Sequence, residues 1–131
     1  MNMPTSDEKN WAIVAHLGTL LVSFVSGGLL QFSVPLVILL VKGDGSRFIA
    51  HHARQSLNFQ LTLFLAVIPY YTFTVLLFLG LVTIPFALVM ACVGPALFFL
   101  AEVGFCVLAA MRANAGEPAG YPALPFLSDP S

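Results

Sequence analysis

Glu102 is the acid that most needs a reason. It is the only charged side chain between Arg54 and Arg112 and the only acid between Asp44 and Glu117. Ten helical residues separate it from Arg112, about 15 Å at ~1.5 Å per residue. A charge near the centre of a bilayer costs ~2.5 kcal/mol or more, so Glu102 must face protein or water, or carry a proton. The same count puts Gln31 about 16 Å from Lys42 and Thr62 about 12 Å from Arg54, again at ~1.5 Å per residue. Gln31, Gln60 and Thr62 are therefore the depth-matched hydrogen-bonding candidates. Two roles follow for Glu102: a proton or substrate site, or a neutral acid that ties helices together.

The second set of chemically capable residues surrounds His51 and His52. At ~100° per residue, His51, Gln55, Asn58 and Thr62 share one helix face with Arg54 on its flank, while Gln60 points the other way. This stripe is expected to form the seam where the third helix meets the first or second. Adjacent histidines point ~100° apart, unlike the i, i+4 pair that grips zinc, and a third ligand would have to come from His16. The three histidines read as interfacial polar contacts, with His16 meeting the stripe, and no metal or cofactor is expected. Neither a glycine-rich phosphate cradle, a zinc-protease helix motif nor a nucleophile elbow is present, so an enzyme is not expected. Cys92 and Cys106 lie about 21 Å apart along one helix at ~1.5 Å per residue, beyond disulfide reach.

These residues need elements to carry them, and the composition says which kind. The chain has 131 residues, 59% hydrophobic and 8% charged, with a mean hydropathy of +0.94. So few charges cannot cover a water-soluble surface. The uncharged run from Gln55 to Ala101 far exceeds the ~20 residues that cross a bilayer. The fold expected is an all-α integral membrane protein of four helices, the first two a short hairpin and the last two long, antiparallel and transmembrane. The lipid bilayer is then the main partner, with other membrane proteins or a second copy of the chain as further ones. A net charge of −1 offers no basic face for nucleic acid.

Thr5-Ser6-Asp7-Glu8 reads as a capping box that opens the first helix, expected over residues 6–24. Acids in the first residues and the lack of a small-residue cleavage site speak against a secretory signal. Ser26-Gly27-Gly28 is a turn, and a second helix containing Pro35 is expected over residues 29–41, too short for an ordinary crossing. A polar loop with Ser46 as a cap leads into a third helix, residues 47–79 with Pro69 inside. Gly80 turns the chain into a fourth, residues 82–115. Residues 1–116 thus make the four-helix domain, and residues 117–131, with four prolines, a Pro-rich irregular cytoplasmic tail. Lys9, Lys42, Arg47, Arg54 and Arg112 all fall at one end of the bundle, which orients that end and both termini towards the cytoplasm of a cell inner membrane.

One set of residues supports a family resemblance. Trp11-Ala12, Ala15-His16-Leu17, Pro35-Leu36, Phe48, His51-His52-Ala53, Ser56-Leu57-Asn58-Phe59-Gln60, Ala113-Asn114-x-Gly116-Glu117 and Tyr121-Pro122 resemble small bacterial membrane proteins of a domain-of-unknown-function family related to the Tic-twenty-like group. Plant members of that wider group belong to the protein-import translocon of the chloroplast inner envelope. The resemblance implies four membrane helices with both termini cytoplasmic. Glu102 stands outside the family pattern. The function expected is a non-enzymatic membrane scaffold or an accessory to membrane protein insertion or translocation. The alternative is a small oligomeric channel or transporter using Glu102.

Overall fold

The computed structural model describes residues 3–129 and, among them, is built only of helices, turns and irregular chain. Four α-helices follow one another: α1 (Ser6–Ser26), α2 (Ser33–Lys42), α3 (Arg47–Leu79) and α4 (Ile84–Ala115). The expected all-helical architecture of four helices, two of them long, is the one observed.

The helix ends explain how the elements meet. Thr5 and Glu8 form the capping box: the Glu8 N–H donates to Thr5 Oγ1 at 3.2 Å and the Thr5 N–H donates to Glu8 Oε2 at 2.7 Å. Glu8 Oε1 also accepts the Ser46 hydroxyl, and Ser46 Oγ in turn accepts the Ile49 N–H that opens α3. The caps of α1 and α3 are thereby linked. Gly27 and Gly28 take φ of 62° and 85°, a left-handed pair that stops α1.

Helix α2 begins four residues later than expected, and its proline explains why. Pro35 sits at the third position of α2, in the first turn, where no intrahelical partner awaits an N–H. Residues 29–32 instead form a turn closed by two hydroxyls: Ser26 Oγ accepts the Leu30 N–H at 3.1 Å, and Ser33 Oγ donates to the Leu30 carbonyl at 2.6 Å. Helix α4 likewise starts two residues late, after a 3₁₀ turn at Leu81–Thr83.

Helices α3 and α4 run antiparallel, with Phe59 against Phe105 and the Tyr70 hydroxyl donating to the Met90 carbonyl. The shared core lies at their charged end, where α1 packs on both and α2 packs on α3 and α1. Ala15, Ile38, Ile49 and Ala53 form its buried cluster, with Trp11, Val34 and Leu39 packed around it. Small residues let the helices approach: Ala12, Ala15, Ala109 and Ala113 are at most 2% exposed. Away from this core the two long helices continue almost alone. Their most apolar stretches are only 6% and 11% buried, and both helices are long and apolar enough to cross a membrane. Phe73, Leu76, Phe86 and Leu97 all face outward there.

Candidate functional site

The polar residues that sequence singles out gather into two linked clusters at and just below the charged end. The outer one centres on the histidines. His16 on α1 and His52 on α3 are completely buried and touch directly, His16 Nε2 lying 2.9 Å from His52 Nδ1. Tyr121 of the tail lies 2.7 Å from His16 Nδ1, and His52 Nε2 lies 3.0 Å from the Glu117 carbonyl. A carbonyl can only accept, so His52 Nε2 carries its proton. For a neutral pair His52 Nδ1 then accepts from His16 Nε2–H, and His16 Nδ1 accepts from the Tyr121 hydroxyl. One carbonyl thus fixes every tautomer in the row. Burial, with Cys106 and Glu102 close by, holds the Tyr121 phenol above its usual range, which keeps it a neutral donor.

The stripe on α3 meets the tail rather than α1 or α2. Asn58 pairs with the Leu127 backbone in both directions, its Nδ2 donating to the carbonyl at 2.9 Å and its Oδ1 accepting the N–H at 2.8 Å. Thr62 accepts the Leu124 N–H at 2.9 Å, and His51 Nδ1 lies 2.7 Å from the Asp129 carboxylate. Phe59 stacks on Tyr121 with ring centroids 4.5 Å apart. His52 and Ser56, rather than the stripe, hydrogen-bond to α1, Ser56 by donating to the Ala15 carbonyl at 2.9 Å. Gln55 is half-buried, and Arg54 keeps one buried guanidinium nitrogen, Nη1, without a protein partner. The expected seam overlooked the tail because its prolines read as solvent-exposed. A tail that packs needs its own donors satisfied, and the polar stripe supplies those partners.

The inner cluster holds Glu102, which is 5% exposed. Ser23 donates to its Oε2 at 2.9 Å, and Gln31 lies 3.4 Å from the same hydroxyl. Gln60 lies beside the carboxyl and donates weakly to Cys106 Sγ at 3.9 Å. Thr62 is elsewhere, bonded to its own Asn58 carbonyl and to the tail. In this inner cluster Ser23 is the residue that sequence reasoning missed. Its signal lay in the spacing Ala12, Ala15, His16, Thr19, Ser23, one buried face of small and polar side chains on α1. Glu102 and Gln60 each retain one buried oxygen, Oε1 in both, with no donor. A cavity of about 560 Å³ opens against the cluster, lined by Ser23, Gln31 and Glu102 and by Phe24, Phe64 and Phe99.

Among the described residues no group of three histidine, cysteine or acidic side chains converges as a metal site would require. Cys92 is exposed and Cys106 buried, both as free thiols. What the arrangement can do is share protons among neutral hydrogen-bonding groups.

A family model described as "Magnetosome magnetite crystal formation protein family" matches residues 7–127. This overturns the resemblance to the Tic-twenty-like group and, with it, the expectation of a role in protein translocation. The motifs quoted for that resemblance, from Trp11 to Pro122, all lie within the matched span. Neither a curated protein nor a solved structure matches the chain.

Proposed function

We propose a function that starts from one fact: this chain belongs to the magnetosome magnetite crystal formation protein family, MamF/MmsF. On this reading it is a non-enzymatic, multi-pass protein of the magnetosome membrane that acts as a scaffold in magnetite crystal formation. The match over residues 7–127 is the observation that carries it. Support for the membrane part comes from α3, whose 33 residues extend about 50 Å at ~1.5 Å per residue, against a hydrocarbon core of ~30 Å. Helices α3 and α4 cross, and the charged end stands in water. Helices α1 and α2, joined at Gly27-Gly28, enter partway as a short hairpin. With Lys9, Lys42, Arg47, Arg54 and Arg112 at one end, that end and both termini face the cytoplasm.

The test is genetic and direct. Deleting the gene in a magnetite-forming host, then restoring it, should change and recover crystal size or shape under electron microscopy. The protein should also remain with carbonate-washed magnetosome membranes. Crystals indistinguishable from wild type after deletion would sink the reading.

A further inference from the structure

We propose that Glu102 is a buried proton-binding site whose proton exchanges with water at the charged end through the Tyr121–His16–His52 row. The proposal does not rest on the role in magnetite formation. Its first ground is an imbalance of donors. Glu102 and Gln60 lie side by side, and each has a buried Oε1 with no donor. With Glu102 ionised, no donor reaches either oxygen, whereas a proton on the carboxyl adds one donor to a pocket that holds two unmatched acceptors. No cation competes for the place. The groups facing Glu102 are Ser23 from α1, Gln31 from the turn after it, Gln60 from α3, Cys106 one turn along α4 and Tyr121 from the tail. None of them is basic, so the single charge that Glu102 can carry has only a proton to balance it.

The second ground is a path. The Cys106 thiol lies between the two clusters, next to Glu102 and against the Tyr121 hydroxyl. From Tyr121 the row continues to His16 at 2.7 Å, His52 at 2.9 Å and the Glu117 carbonyl at 3.0 Å. Tyr121, His16 and His52 can each donate and accept, as a proton relay requires. Glu117 is an exposed residue of the tail, and its carbonyl caps the row. Every donor along it points outward. When the proton leaves Glu102, one proton moves along each link and one departs from His52 Nε2 to water as the tail segment carrying the Glu117 carbonyl opens; the reverse sequence returns a proton to the carboxyl. Exchange therefore leaves the net charge of the cluster unchanged. On the other side of Glu102 the cavity walls are largely apolar and offer no comparable series of donors.

Infrared spectroscopy of the full-length protein in lipid vesicles tests both parts, with heavy water as the probe. Wild-type protein at neutral pH should show the carbonyl stretch of a protonated carboxylic acid, and Glu102→Gln should remove it. After transfer to heavy water the band should shift as the proton exchanges. Tyr121→Phe should keep the band but slow its shift roughly tenfold, the effect of one lost hydrogen bond on the barrier. Unchanged helical circular dichroism checks that the variants fold. The absence of a Glu102-dependent band in wild-type protein would overturn the site. Exchange equally fast in Tyr121→Phe would overturn the path.

Discussion

Glu102 depends on Ser23 for its one hydroxyl donor, and that dependence makes a stability prediction. Glu102→Gln should keep the shape and most of the hydrogen bonding, so thermal unfolding in detergent should barely change. Glu102→Leu strands Ser23 and Gln60 and should cost ~0.5 to 2 kcal/mol, the range for an interhelical hydrogen bond in a membrane protein. Wild-type stability in Glu102→Leu would mean that the contact holds nothing. Glu8 gives the pH counterpart. Its bonds from Ser46 and Thr5 hold its carboxyl below the ordinary value of 4.5. A depressed folded-state value means the contribution is full above the unfolded value and is lost as pH falls through the folded one. Wild-type protein should therefore be more stable than Glu8→Gln at neutral pH, and the gap should close on acidification below 4.5. A gap that persists unchanged in acid would count against the Ser46 tie.

At the scale of elements, the long helices are joined by a close approach that leaves no room. A methyl group at Gly94 would stand 1.9 Å from the Tyr70 hydroxyl, on a ring that has little freedom to retreat. Gly94→Ala should therefore cost about 1 to 3 kcal/mol by overpacking. Tyr70→Leu should recover part of it, which paired melting curves of the single and double variants would show. The helices themselves were legible in sequence: Thr5 to Glu8 announces α1, and α3 spans the expected 47–79. Pro35 misled on α2 because a proline fits equally an interior kink and a first turn, and only the Ser26 and Ser33 hydroxyls decide between them. The depth count sets Gln31, Gln60 and Thr62 level with Glu102; Gln60 lies beside its carboxyl and Gln31 near the Ser23 hydroxyl that donates to it, whereas Thr62 turns to the tail. Tyr121 could not be found in that way. Depth is measured along a helix, whereas a tail without regular structure returns to the bundle by contacts that no period encodes.

The whole molecule is a charged end with its own core, from which two apolar helices project. The tail closes the charged end, and its backbone donors at Leu124 and Leu127 rely on Thr62 and Asn58. Asn58→Ala should free the tail, raising hydrogen exchange at residues 121–129 while leaving the helices protected. Equal protection in both proteins would assign the tail's order to other contacts. The central claim is that the charged end and the Gly80 turn lie on opposite sides of a membrane. Labelling with a membrane-impermeant maleimide tests it most directly, using sealed vesicles with their cytoplasmic face outward and a background of Cys92→Ala and Cys106→Ser. Asp44→Cys, in the exposed basic loop, should label at once, whereas Val82→Cys, at a position 94% exposed in the turn between α3 and α4, should label only after detergent is added. Equal labelling of the two positions in sealed vesicles would contradict the account.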